Sequence, residues 1–297
     1  MNPARPWLPA LAMASVLGAL LAFDVPRAVL GPTDGRLTTD ALQLTAAAAA
    51  FSMLGLPLER LGARWGRARP AAGAAWWAGW HRAAATQAAL GVVLGILVLR
   101  AGRWFDIAGA TGAVVLGGLV LLRLQPWIGI GAGLDPARGG RVPGRLAVRA
   151  PGGAFDGGWA GLPGQELLLM PAAWSALPPP DLQIRLRVHD ARRPARLRTH
   201  AAVMLCVAGT FWACAWTAGM DVSTPAGLVS IHLALNLALL PLAFVLPHVL
   251  GRLGPGAAAA TEEAIALLSL PAGGLLSRLL PGALGRPSQA LVGRGPA

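Results

Sequence analysis

The chain has no lysine, and charged residues of any kind make up only 13% of its 297 residues. This scarcity of charge excludes an ordinary soluble domain, in which about 25% of residues are charged. The apolar fraction of 55% and the mean hydropathy of +0.57 instead favour a polytopic membrane protein. The absence of lysine beside so much alanine, glycine, arginine and proline is typical of a GC-rich bacterial genome.

Cysteine is scarce, and the chain contains only Cys206 and Cys214. Both fall in one predicted helix, about 12 Å apart along its axis, and this separation excludes a disulfide between them. We expect both thiols to be packed against neighbouring side chains.

Two signatures of catalytic or phosphate-binding sites are also missing from the sequence. GLVSIHLALN has no nucleophile elbow, and GAGLDPARGG lacks the lysine of a phosphate loop.

Long apolar runs dominate what is present. Six of them are long enough, or nearly so, to cross about 30 Å of hydrocarbon as helices: 8–23, 41–58, 83–99, 107–122, 201–220 and 226–247. We expect the first to be a retained helix, since no clean cleavage site follows it. A shorter stretch, 264–276, is interrupted by Pro271 and predicts a buried or interfacial segment.

The predicted fold is mainly α, a polytopic transmembrane helical bundle of about six spans. The spans divide as four plus two around a small cytoplasmic α+β insertion between spans four and five. This organisation predicts a four-helix membrane domain at 1–124, the insertion at 125–200, a transmembrane hairpin at 201–250, and a short cytoplasmic helix with a disordered tail at 251–297.

The distribution of arginine predicts the orientation of the chain. With the amino terminus in the cytoplasm, most arginines are cytoplasmic and only four fall outside: Arg27, Arg36, Arg100 and Arg103. The positive-inside rule favours this arrangement in a bacterial inner membrane. The net charge of +12 is then a signal of topology and of attraction to anionic lipid, not of nucleic-acid binding.

No predicted span contains an internal charged residue, which counts against an ion-coupled transporter. His232 and Asn236 lie four residues apart in span six, and we expect an interhelical hydrogen-bond pair there. Spans three and four form a predicted tight hairpin through RAGRWFD. Their glycines, including Gly91 and Gly95 in a GxxxG step, predict close helix packing.

The interval 125–200 contains the remaining pattern of interest. Strands are predicted at 145–151 and 166–171, joined as a small β-hairpin through the turn GGAFDGG. A helix follows from about 182 to 193, and Pro194 is expected to end or kink it.

This order of parts resembles the membrane zinc metallopeptidases of the HtpX and CAAX prenyl protease type. LAVRAP, GGAFDGG and ELLLMP precede a helix in which His189 falls at the first histidine of the family's HExxH motif. Two membrane helices and the pair Glu262 and Glu263 follow. The resemblance covers roughly 145–266. It implies His189 and Glu262 as metal ligands, Asp190 in the position of the catalytic base, and zinc as the cofactor of an active enzyme.

The motif is incomplete, because Arg193 occupies the place of the second histidine. A guanidinium has no lone pair to donate to zinc. We therefore expect no cofactor and an inactive relative, a pseudoenzyme that binds membrane lipid and hydrophobic peptides or membrane-protein partners. Two alternatives remain open: a zinc peptidase with rearranged ligands, using His189, Glu262 and His200 or His248, or a transporter or accessory subunit of a membrane complex.

Overall fold

A computed structural model describes residues 7–65, 74–131, 135–142, 145–149, 158–162, 165–171, 174 and 176–251. The protein is mainly helical with one small sheet, as the sequence predicted. The described part contains six helices: α1 (Trp7–Ala22), α2 (Val25–Leu30), α3 (Leu37–Trp65), α4 (Ala74–Gly131), α5 (Pro179–Thr217) and α6 (Pro225–Gly251). The strands between α4 and α5 are β1 (Asp135–Val142), β2 (Arg145–Arg149), β3 (Gly158–Ala160) and β4 (Leu167–Pro171).

Two described helical stretches are long and apolar enough to cross a membrane, Ala84–Ile128 and His200–Thr217. Leu11–Ala22 and Pro225–Ala238 are apolar but shorter. By this criterion, six separate spans are not confirmed.

The first of these stretches, within α4, consists of two helical limbs. The backbone leaves the helical region at Phe105 (φ −133°, ψ 15°) and Asp106 (φ 56°, ψ −153°), and the Leu94 side chain lies directly against Gly117. In a continuous helix these two residues would be about 34 Å apart. Helix α4 therefore reverses direction near Asp106, into a first limb (74–104) and a second limb (107–131).

Buried apolar side chains from four helices form the main core. Leu44 of α3, Leu99 of the first limb, Phe211 of α5 and Ile231 of α6 belong to this cluster. A smaller cluster joins α1 to α6 through Met13, Leu17 and Leu233. The helices thus form one bundle.

Some of the predicted glycine contacts are present. Gly117 lies against Leu94, Gly118 lies against Met204 of α5, and Gly95 faces Leu44. Gly91 has open space beside it, so the GxxxG step packs through only one of its two glycines.

The sheet differs from the predicted hairpin. Its strand order is β1-β2-β4-β3, and β2 pairs parallel with β4, with Arg145 opposite Leu168 and Val148 opposite Pro171. The two predicted strands are confirmed, but their antiparallel pairing is wrong. The pairing differs because β3, and not β2, pairs antiparallel with β4. The turn GGAFDGG lies almost entirely outside the described residues.

Helix α5 continues from Pro179 to Thr217, so Pro194 does not end the helix, and the kink that was the other expected outcome stays a prediction. The insertion helix and span five are parts of one helix of 39 residues. Proline removes one backbone hydrogen bond, and a helix of this length still retains most of its ladder. The predicted segment 264–276 lies outside the described residues.

The expected interhelical bond between His232 and Asn236 takes a different form. The Asn236 amide donates to the backbone carbonyl of His232 one turn earlier, at 2.7 Å. The His232 ring contacts Phe51 of α3 edge-on, with the ring centroids 5.4 Å apart. The contact between α6 and α3 is therefore aromatic, and the hydrogen bond of the Asn236 side-chain amide lies within α6.

Candidate functional site

Three connecting segments meet at one end of the bundle, which we call the clasp end. They are the segment before α3 (31–36), the reversal of α4 near Asp106, and the α5–α6 loop (218–224). The sequence predicted all three as loops on the same side of the membrane. Hydrogen bonds and backbone packing join the three segments in the structure.

Arg103 is the residue on which these contacts converge. Its guanidinium donates to both carboxylate oxygens of Asp40, from Nη1 to Oδ2 at 2.6 Å and from Nη2 to Oδ1 at 2.9 Å. Its Nε donates to the backbone carbonyl of Ser223 at 2.8 Å, and Nη1 also reaches the carbonyl of Gly35 at 3.2 Å. One side chain next to the α4 reversal thus binds α3 and the other two segments. We call this arrangement the Arg103 clasp.

Asp40 is the buried partner in the clasp, with none of its side chain exposed. It also accepts a hydrogen bond from the Thr33 hydroxyl at 2.8 Å and lies 3.7 Å from the Arg100 guanidinium. Burial raises the pKa of the Asp40 carboxyl, but the hydrogen bonds and charges of Arg103, Thr33 and Arg100 outweigh it, and the net pKa lies below 3.8. The carboxylate is therefore ionised at neutral pH.

Backbone packing adds to the clasp. A Cβ atom placed on Gly102 would lie 2.6 Å from the carbonyl oxygen of Val222, so only glycine allows this approach of α4 to the α5–α6 loop. Asp221 orders the same loop, because its carboxylate accepts hydrogen bonds from the backbone N–H of Ser223 at 2.8 Å and from the Ser223 hydroxyl at 2.6 Å.

A shallow cleft of about 370 Å³ lies beside the clasp, between the α4 reversal and the α5–α6 loop. Its lining includes the acidic residues Asp106 and Asp221 and the apolar residues Trp216 and Met220. Its volume is at the lower end of the range for small-molecule sites.

The sheet lies at the opposite end of the bundle, which we call the sheet end. Gln125, near the end of the second limb, accepts a hydrogen bond from the backbone N–H of Gly161 at 3.0 Å. Nineteen residues of helix separate Gln125 from Asp106, which corresponds to about 28 Å. Trp159 and Leu168 of the sheet pack against Leu186 of α5.

The residues predicted from the peptidase resemblance are only partly described. His189 and Asp190 lie on α5, and Asp190 is exposed. The side chain of His189 and the whole of Glu262 lie outside the described part of the chain, so the proposed metal ligands stay a prediction. Among the described side chains, no group of three histidine, cysteine, aspartate or glutamate residues could hold a metal ion.

One of the rearranged ligand sets fails on geometry. His189 and His200 lie on the same unbroken helix, eleven residues and therefore about 16 Å apart along its axis. Ligands of a single zinc ion lie about 2 Å from it, so these two histidines cannot share one. His200 is buried within the bundle.

The pairing of Asp40 with Arg103 was not predicted. Both residues lie in segments that the sequence places on the same side of the membrane, but nothing in their spacing indicates which arginine meets which aspartate. No protein-family model, curated protein or solved structure matches this chain. The resemblance to membrane metallopeptidases therefore depends on the quoted residues alone.

Proposed function

We propose that this chain is a multi-pass protein of the bacterial inner membrane, with its amino terminus in the cytoplasm, that binds partners without catalysis. The observation that carries the proposal is the exposed apolar surface of its helices. Large apolar side chains on three different helices face outward, with 71% of Leu42, 63% of Leu116 and 72% of Leu205 exposed. Soluble monomers rarely expose contiguous apolar patches larger than a few hundred Å², whereas lipid would cover this surface.

The positions of the loops and of the sheet at opposite ends of the bundle support six membrane crossings, four before the sheet and two after it. The three loops that the sequence placed outside meet at the clasp end, and the sheet lies at the other end. Arg36, Arg100 and Arg103 belong to the clasp end, where Asp40 neutralises one of them. Since most other arginines fall in segments assigned to the sheet end, the positive-inside rule favours a cytoplasmic sheet end.

The helical course of α5 supports the absence of zinc catalysis. Residues 189 and 193 lie one turn apart on an unbroken helix, which is the spacing that two zinc-binding histidines require. Arg193 stands at the second position, and its protonated side chain cannot be a ligand. We propose that the sheet and the first half of α5 serve as a binding surface for hydrophobic peptides or membrane-protein partners.

Metal analysis of the purified protein tests the absence of zinc. We expect substoichiometric zinc in the wild type and no change in Asp190→Ala or His189→Ala. A double variant, Asp190→Glu with Arg193→His, restores the motif and should gain zinc if the chain has the peptidase architecture. Stoichiometric zinc in the wild type, lost in His189→Ala, would instead establish the alternative of an active enzyme with rearranged ligands.

Site-specific photo-crosslinking in membranes tests the partner-binding surface. Ile184 is exposed on α5 next to the sheet, and a crosslinker placed there should capture a defined set of apolar peptides or membrane proteins. The matched position is Leu37, which is similarly exposed but lies at the clasp end. Equal capture at both positions, or capture at neither, would overturn the assignment of this surface.

A further inference from the structure

We propose that the Arg103 clasp makes the bundle a one-ended hinge. The helices are fixed to one another at the clasp end, and the first limb of α4 moves away from the second limb and α5 only at the sheet end. This inference is independent of zinc, peptide binding and membrane orientation, because it depends on contacts within the chain.

The clasp supplies a fixed pivot. Arg103 holds a carboxylate of α3 through two hydrogen bonds and the α5–α6 loop through a third. A guanidinium is planar, and its donors form a rigid fork, so paired bonds restrict orientation as well as distance. Separation of α3, α4 and the α5–α6 loop at this end would expose the buried charge of Asp40 without its partner.

The distribution of buried residues shows where the bundle is loose. In the first limb, Val98 and Leu99 are buried within two turns of the reversal. Val92, Leu94 and Ile96 are partly buried and pack against the main core, whereas none of the side chains described between 81 and 91 is buried. The first limb is therefore packed from residue 92 to the reversal, and its described part nearer the sheet is not.

The second limb is held differently at its sheet end. Its Gly118 lies against Met204 of α5, its Leu122 is buried, and its Gln125 binds the backbone of Gly161 beside the sheet. The second limb, α5 and the sheet thus form one packed unit. The first limb is joined to this unit between the reversal and Leu94, which lies against Gly117 of the second limb, and the non-helical residues Phe105 and Asp106 separate the two limbs.

Opening of this hinge would create a gap between the limbs at the sheet end. The large apolar side chains exposed on the second limb toward this end include Leu124 and Trp127. An apolar segment of a partner could enter beside the sheet without any disturbance of the clasp.

Distances between pairs of spin labels test the hinge. In a background of Cys206→Ala and Cys214→Ala, one label pair at Thr38 and Ala218 reports the clasp end, and a second pair at Arg82 and Leu124 reports the sheet end. We expect a narrow distance distribution for the first pair and a broad or bimodal one for the second. Arg103→Ala should broaden the clasp-end distribution to the width of the sheet-end one.

Two further variants keep the test decisive. Arg103→Lys retains the charge but loses the paired geometry, so it should broaden the clasp-end distribution if Arg103→Ala does not fold. Arg27→Ala removes an exposed arginine whose ion pair with Asp24 lies at 3.6 Å, and it should change neither distribution. Equal widths for the two pairs in the wild type, or an unchanged clasp-end pair in both Arg103 variants, would overturn the proposal.

Discussion

The guanidinium of Arg103 and the carboxylate of Asp40 form a bidentate ion pair across 63 residues of sequence, with the carboxylate fully buried. Each of the two residues depends on the other. A buried carboxylate without its partner is strongly destabilising, whereas an exposed ion pair contributes little.

Arg103→Ala should therefore reduce the free energy of unfolding by about 3 kcal/mol or more, the usual loss when one partner of a buried pair is removed. Arg27→Ala, which breaks an exposed pair, should cost less than about 1 kcal/mol. Denaturant unfolding in detergent, followed by circular dichroism, measures both. Similar losses of the free energy of unfolding in the two variants would show that the Arg103 clasp contributes no more stability than an exposed ion pair.

The stability of the protein should fall in acid through Asp40. The pKa of this carboxyl in the folded protein is lowered from 3.8, so folding favours the ionised form. The stability that the ionised Asp40 contributes is complete above the ordinary pKa of 3.8, and it is lost as the pH falls through the lower pKa of the folded protein. Thermal unfolding between pH 7 and about pH 3 should show a steeper acid loss in the wild type than in Asp40→Asn. Parallel curves would exclude Asp40 as the titrating group.

Asp106→Gly should stabilise the reversal of α4. Asp106 has φ 56° and ψ −153°, a conformation that is essentially restricted to glycine. Relief of this strain exceeds the extra chain entropy that glycine loses on folding, and we expect a net gain of about 1 kcal/mol. Asp106→Ala keeps the strain and should give no gain, which separates strain from loss of the carboxylate. A loss of stability in Asp106→Gly would show that the side chain itself holds the turn.

Gly102→Ala should be destabilising, because the added methyl group would meet the carbonyl oxygen of Val222. Backbone has to move to accommodate it, and overpacking of this kind costs about 1 to 3 kcal/mol. Gly91→Ala is the matched control on the same limb, since open space surrounds that position. It should leave the unfolding midpoint unchanged or raise it. Equal changes of the unfolding midpoint in the two variants would mean that Val222 lies farther from α4 than the structure places it.

Periodicity and length predicted the parts of this fold, and long-range contacts decided the rest. The apolar runs anticipated the helices, and the alternation of RLAVRAP anticipated β2, because these signals lie within a few residues of one another. The parallel pairing of β2 with β4 could not be predicted, since it depends on where β3 returns to the sheet. Pro194 does not end α5, because the helix on either side of it outweighs the local helix-breaking propensity of proline.

The candidate site shows the same division. The family resemblance implied Asp190, helical spacing indicated the obstacle at Arg193, and α5 has the helical course that this spacing requires. The sequence did not identify the Arg103 clasp, which joins residues that are distant in the chain and carry no motif. The only signal in the sequence was an aspartate at the start of an apolar run, together with arginines at the predicted reversal between spans three and four.

The side of the membrane reached by single cysteines tests the central claim most directly. In the cysteine-free background, Thr38→Cys, Phe105→Cys and Ala218→Cys should all react with a membrane-impermeant thiol reagent added to intact cells. Gln165→Cys and Gln183→Cys, at the sheet end, should react only after the inner membrane is permeabilised. Labelling of the three clasp-end positions from opposite sides would contradict both the six-span arrangement and the joining of its loops by Arg103.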